Sequence, residues 1–291
     1  MPDNRPLSRR IGPLGAIAAT GILAAGLLGA GHLATRPDPA PRSGAQPAFA
    51  VVPPPAPGVL PLSESAAPSA RSGAVLVGIE PVSVRYTFDA GAGHPVTDTN
   101  GEHELRVLGQ NGGTLSLVPQ GLGLAVEFPE RCRLSRERDC PRAILEGERD
   151  DALNPGTRPM RYGASVNMAR ADLADGANVL QKGYSVGGVG QFKLQVDHEQ
   201  GHPSCVVVGQ THIYRAEPAL DVADGAWHDL VCERSATRLA IMVDRVERAS
   251  VPVPHTLSIA NAEPLRVGGK GPNKGNDQYA GQIDNVFLDI P

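Results

Sequence analysis

HDLVCERSATRLAIMV, residues 228–243, holds two runs, HDLVCE and RLAIMV, in which apolar and polar side chains nearly alternate on either side of a short polar break. A period of two turns one side of a strand toward a core and leaves the other wet, which is the antiparallel arrangement. The same period recurs in VSVRYTF (82–88), TLSLV (114–118), LAVEF (124–128), YGASVNM (162–168), QFKLQV (191–196) and QIDNVFL (282–288). Gly, Pro and Asp turns separate these runs, and beyond residue 75 no segment shows an amphipathic helical repeat with caps. The pattern predicts an all-β, two-sheet antiparallel jelly-roll sandwich.

Composition bounds what such a domain can do. With 291 residues and 41% hydrophobic content, the chain can bury one sizeable core or two small ones. Up to residue 75 there are six Arg against three acids, which leaves 21 basic and 28 acidic residues beyond, a net charge near -7. That surplus is a poor match to a phosphate backbone, so nucleic acid is excluded as a partner.

The N-terminus reads as a targeting segment. A basic flank, residues 1–10, precedes IGPLGAIAATGILAAGLLGAGHLA, residues 11–34, which has no charged side chain and is long enough to cross a hydrocarbon core. It is read as an uncleaved single-pass membrane anchor, with a cleaved signal peptide as the alternative. Residues 35–75 are rich in Pro and Ala and cannot bury enough apolar surface to order, so they form a disordered linker or stalk. Residues 76–291 make the folded, extracytoplasmic domain.

WHDLVCERSATRLAIMVDRVERAS (227–250) and LRVGGKGPNKGNDQYAGQIDNVFL (265–288) resemble the laminin G-like, concanavalin A-like family. That family shows W-H-x-hydrophobic, a strand, a V-D-G-x hairpin, L-x-I-G-G and an aromatic-x-G-x-I-D-x-V closing strand. YTFDAGAG (86–93) is similar to its opening strand and acidic turn, and ANVLQKGYSVGGVGQFKLQV (177–196) to its central hairpin. Arg245 stands where the family often has Gly, so a different turn geometry is expected there. The resemblance implies calcium near the opening turn and closing strand, at Asp89 and Asp284, with carbonyls around Asn100 completing the shell. The alternative is that both Asp side chains cap turns.

Two catalytic patterns occur and neither has its context. HEQGH (198–202) satisfies H-E-x-x-H, which needs a helix to bring His198, Glu199 and His202 to a zinc ion. Gly201 lies inside it, Pro203 follows and a strand precedes it, so a polar hairpin tip is expected. GYSVG (183–187) matches the nucleophile elbow around Ser185, but GGVG and another strand follow where a helix is required. The acidic run EGERDD (146–151) reads as a solvated loop.

Four cysteines in an exported chain favour disulfides, with three connectivities open. Cys132 with Cys140 and Cys205 with Cys232 are preferred because each pair is near in sequence and the second can tie neighbouring strands. A thiol or zinc site is the alternative. Carbohydrate recognition calls for exposed aromatic faces, and Tyr184 and Tyr279, beside glycine-rich loops, are the candidate ligand contacts, while Trp227 is expected to be buried. The expected function is non-catalytic binding of a cell-surface glycan or protein. The alternative is a glycan hydrolase on the same fold.

Overall fold

In the computed structural model the described residues are 80–291, apart from 92–93, 174–175, 187–189, 198 and 210–211. The expectations for residues 1–79 (basic flank, anchor or signal segment, most of the linker) lie outside the described residues. Among the described residues no helix is long and apolar enough to cross a membrane.

Among the described residues sixteen strands follow in chain order. They are β1 (Val82–Tyr86), β2 (Val96–Thr97), β3 (Glu104–Gln110), β4 (Ser116–Gln120), β5 (Gly123–Phe128), β6 (Arg142–Gly147), β7 (Met160–Ala169) and β8 (Ala177–Lys182). The second half holds β9 (Gln191–Val196), β10 (Pro203–Gly209), β11 (His212–Ala216), β12 (Asp224–Arg234), β13 (Arg238–Val243), β14 (Val246–Pro252), β15 (Leu265–Val267) and β16 (Gly281–Ile290). Only two 3-10 turns, Glu137–Asp139 and Arg170–Asp172, are helical among the described residues.

The strands form two antiparallel eight-stranded sheets. The first runs β14-β13-β12-β7-β16-β5-β4, with β1 also paired to β16, and the second runs β11-β10-β9-β8-β15-β6-β3-β2. β5 occupies the start of β16 (Gly281 against Phe128) and β1 its end (Val82 against Ile290), with Asn285 at positive φ where the register shifts. Alternate residues of both sheets meet in one core: Val84, Tyr86, Val166, Leu230, Ile241 and Leu288 from the first, Leu180, Phe192, Leu194, Cys205, Val207 and Val267 from the second.

Both disulfides have the expected partners, Cys132–Cys140 and Cys205–Cys232, and no cysteine is free. Their placement refines one expectation. Cys205 lies on β10 of the second sheet and Cys232 on β12 of the first, so the bond crosses the core between sheets instead of tying neighbouring strands.

The hairpin at Arg245 also departs from expectation. Val243 pairs with Val246, and the two loop residues Asp244 and Arg245 have φ of 53° and 66°. This is the positive-φ geometry that Gly favours, adopted by Arg because the twist of β13 and β14 demands it. Asp244 adds its own bonds: its carboxylate accepts Asp229 N–H (2.9 Å) and meets His228 Nδ1 (2.9 Å), while His228 Nε2 faces Asp224 (3.2 Å). Partial burial works against the imidazolium, but the two carboxylates outweigh it and hold His228 above the usual histidine range.

Candidate functional site

The outward face of the second sheet is where the chemistry gathers. On β9, Phe192, Leu194 and Val196 enter the core, so Gln191, Lys193 and Gln195 face the other way. By the same pleat Asn178 and Gln181 (β8), Ser204 (β10), Arg215 (β11) and Arg266 (β15) join them. These positions are polar, yet most are buried, because residues 183–186 and 268–278 lie against them. Asn178 N–H donates to the Asp277 carbonyl (3.0 Å), Tyr184 O–H to the Lys270 carbonyl (2.9 Å), and Gln181 and Gln191 side chains donate to the Gly183 carbonyl (3.2 and 3.0 Å).

Burial sets the electrostatics of this face. Lys193 is half-buried; loss of solvent pulls its ammonium down, Asp277 pushes back, and Arg215 and Lys270 lower it further, to about 8. Arg266 pairs with Glu146 (2.5 Å) and Glu263 (3.1 Å) and lies 5.3 Å from the centre of the Tyr184 ring.

The part left open is a polar cleft of about 500 Å³ at the end of β9 and β10, with Gln195, Asp197, His202, Arg215, Glu217 and Asp277 among its lining residues. Its wall includes Glu199, Gln200 and His202 of the HEQGH stretch, which lie in the expected hairpin tip. Asp197 organises it: one carboxylate oxygen accepts Glu199 and Gln200 N–H (both 2.8 Å), the other His202 N–H (2.7 Å). Burial acts to raise this carboxyl, but these bonds and the nearby His202 outweigh it and hold it below the usual range. Gly201 has φ of 72°, and a Cβ there would stand 2.2 Å from an Asp221 carboxylate oxygen. Among the described residues 199–202 no helix forms, so H-E-x-x-H has no helical face to present there; His198 lies outside the described residues. Ser185 is exposed in the turn between β8 and β9, again without a helix among the described residues.

The aromatic expectations need correction. Tyr279 is fully buried, with its hydroxyl on the Asn167 carbonyl (3.0 Å) and its ring edge-on to Phe128 (5.7 Å). It leads into β16 and packs between the sheets, so it is no exposed ligand contact. Trp227 is half-buried instead of core, because it shares the outward parity of Asp229 on β12. Tyr184 is half-buried, its hydroxyl and ring engaged by Lys270 and Arg266.

Asp89 and Asp284 come near each other on the first sheet. Asp89 accepts Leu124 N–H (2.8 Å), and Asp284, only 5% exposed, accepts the backbone and side-chain N–H groups of Asn285 (2.6 and 3.0 Å). Burial raises the Asp284 carboxyl, the Asn285 bond lowers it and the Asp89 charge raises it again, to about 6. Neither carboxylate has a Lys or Arg partner among the described residues, a charge state that a dication fits. Asn100 is not beside them: its side chain donates to the Ser83 carbonyl (3.0 Å), near the start of β1.

Residues 162–288 match the Laminin_G_3 family model, of the concanavalin A-like lectin/glucanases superfamily. Among solved structures, the chain is similar to domain 4 of AbnA, a GH43 extracellular arabinanase from Geobacillus stearothermophilus, in complex with arabinotriose. The identity is 13%, the TM-score 0.53, and the match covers 71% of this chain and 91% of that one. It is also similar to the binding domain of Paraclostridial Mosquitocidal Protein 1 (9% identity, TM-score 0.52, 70% and 48% covered). A third is the binding domain of botulinum neurotoxin DC in complex with SialylT (10% identity, TM-score 0.50, 70% and 47% covered). The chain spans about half the length of the two toxin domains, and at these identities the likeness is one of fold. No curated protein matches the chain in sequence.

Proposed function

We propose, from a chain whose residues 162–288 belong to the laminin G-like, concanavalin A-like superfamily, that this is an exported jelly-roll binding module that recognises a cell-surface glycan without catalysis. The observation that carries the reading is the polar outward face of the second sheet. Amide, carboxylate, imidazole and guanidinium groups converge on one cleft, and side chains fixed by a sheet and its covering loops are preorganised to bond sugar hydroxyls. Two disulfides and no free cysteine support an oxidising, extracytoplasmic setting, and residues 11–34 supply the membrane anchor or export signal.

A glycan array probed with the full chain tests this. Retention of a defined glycan class, weakened at least about tenfold by Arg215→Ala or Gln195→Ala, is the expected result. Retention of none, or affinities untouched by both variants, would remove the cleft from the reading and leave a protein ligand.

The hydrolase reading has one observation in its favour. Asp197 and Glu217 carboxylate oxygens lie within 4.8 Å, near the spacing of a retaining pair. Against it, three backbone N–H groups hold Asp197 as a weakly basic anion, a poor proton donor, and Glu217 is engaged by Arg215 (3.1 Å). Release of new reducing ends from the retained glycan would favour hydrolysis.

For Asp89 and Asp284 the reading is a structural calcium that neutralises the pair; bound there, the ion would supply cohesion between the opening turn and β16, not chemistry. Calcium should raise the melting temperature of the full chain and fail to do so in Asp284→Asn.

A further inference from the structure

Three side chains that no local motif links meet at the cleft. Val196 pairs with Pro203, and Asp197 N–H donates to the His202 carbonyl (2.9 Å), so Asp197 and His202 form the next rung of the β9–β10 hairpin. Cys205 pairs with Ala216, which sets Ser204 opposite Glu217 just beyond β11. The pleat therefore puts Gln195, Asp197, His202, Ser204 and Glu217 on one face, turned away from the core. On that face one ligand atom each from Asp197, His202 and Glu217 lies within 4.8 Å of the others.

Ser204 is the independent observation. It is fully buried, its Oγ has no hydrogen-bond partner, and its cross-strand neighbours on the cleft face are Gln195 on one side and Glu217 on the other. A buried hydroxyl left unpaired costs about 1–3 kcal/mol, and strand parity turns this one to the face that carries the two carboxylates and the imidazole.

We propose that Asp197, His202 and Glu217 are a three-ligand site for zinc, with a fourth position open to water or to a ligand atom. Two carboxylates supply the charge that a dication balances, and an imidazole nitrogen in the donor set selects a borderline ion over calcium or magnesium. The N–H bonds from Glu199, Gln200 and His202 act as the outer shell that fixes the Asp197 carboxylate. Arg215 holds one Glu217 oxygen (3.1 Å) and leaves the other for the ion. Only His202 is shared with H-E-x-x-H; Asp197 and Glu217 lie outside that pattern. This goes beyond the binding-module reading and stands without it, since the ion needs no glycan to bind.

The test uses the full chain, stripped by chelation and titrated with zinc alone against a chromophoric chelator, with cobalt(II) absorption as a second readout. One equivalent per chain is expected, weakened at least about tenfold by Glu217→Gln and by His202→Gln in protein whose melting is unchanged, and unaffected by His198→Gln. Glu217 is exposed and ends no strand, so its variant separates ligation from folding. Absence of a bound equivalent, or wild-type affinity in Glu217→Gln, would overturn the site. Loss in His198→Gln with Glu217→Gln unaffected would move the ion to the H-E-x-x-H pattern and overturn it equally.

Discussion

On the outward face of the first sheet, Arg85 pairs with Asp289, Arg161 with Glu233 and Arg238 with Glu247, all open to solvent, and Arg85 and Arg161 flank the Phe287 ring at 5.1 and 6.0 Å. On the outward face of the second sheet the same alternate positions hold Asn178, Gln181, Gln191 and Arg266, each less than a tenth exposed. The pleat is identical and the chain above it is not: residues 183–186 and 268–278 lie over one face, while the ion pairs of the other stay in contact with solvent. Exposed ion pairs are exchangeable and contribute little, whereas covered polar groups need partners of fixed geometry. The proposed recognition is assigned to the second face for that reason.

The contrast assumes that the sheets are held in place, and the largest expected effect comes from breaking that hold. Replacing Cys205 and Cys232 together by Ala should cost about 3–4 kcal/mol in denaturant unfolding, by loop-closure entropy over a separation of 27 residues. The Cys132–Cys140 pair, separated by 8, should cost less. A smaller loss from the inter-sheet pair would mean that packing alone keeps the two faces where they are.

The contrast itself is sharpened by matched deletions. Arg266→Met should cost about 2 kcal/mol, because the nearly buried guanidinium is the partner that Glu146 and Glu263 share. Arg161→Ala on the open face should cost less than about 1 kcal/mol. Equal losses would erase the distinction between the faces.

Lys193 gives the pH signature of the covered face. Its folded pKa, about 8, lies below the unfolded value of 10.5, so its charge opposes folding below pH 8 and that penalty fades as the pH rises from about 8 to 10.5. Lys193→Met should therefore gain roughly 2 kcal/mol at pH 7 and little at pH 10, measured by thermal unfolding at each pH. A gain that ignores pH would place Lys193 in solvent.

The smallest expected effect concerns the first sheet's edge. Arg245→Gly should stabilise by about 1 kcal/mol, since it relieves a side chain held at φ of 66° without touching the Asp244 and His228 bonds. Destabilisation there would mean that Arg245 makes a compensating contact.

Alternation carried the fold where the two faces of a strand differ in polarity. QFKLQV coincides with β9 because Gln191, Lys193 and Gln195 alternate with core side chains even though that face is covered, and RLAIMV coincides with β13 because Leu239, Ile241 and Val243 enter the core while Arg238 and Met242 are more exposed. PSCVVVG, now β10, is buried at every position, and ELRVLGQ, now β3, is largely exposed, so neither shows a period of two. The hairpin at HEQGH was legible because Gly201 and Pro203 forbid a helix locally. Tyr279 was misread because glycine-rich neighbours suggest an exposed loop, whereas the turn inserts the ring between the sheets.

By itself the sequence determined the sandwich and its closing strands, since periodicity and turn chemistry act over a few residues, and it offered a preference among three cysteine pairings. Only the tertiary structure decided that Cys205 reaches across the core to Cys232, that a polar face lies under loops, and that Glu217 stands beside Asp197 and His202. Those neighbours are set by strand register and by packing between sheets, which join residues far apart in the chain and leave no mark in any short stretch of it.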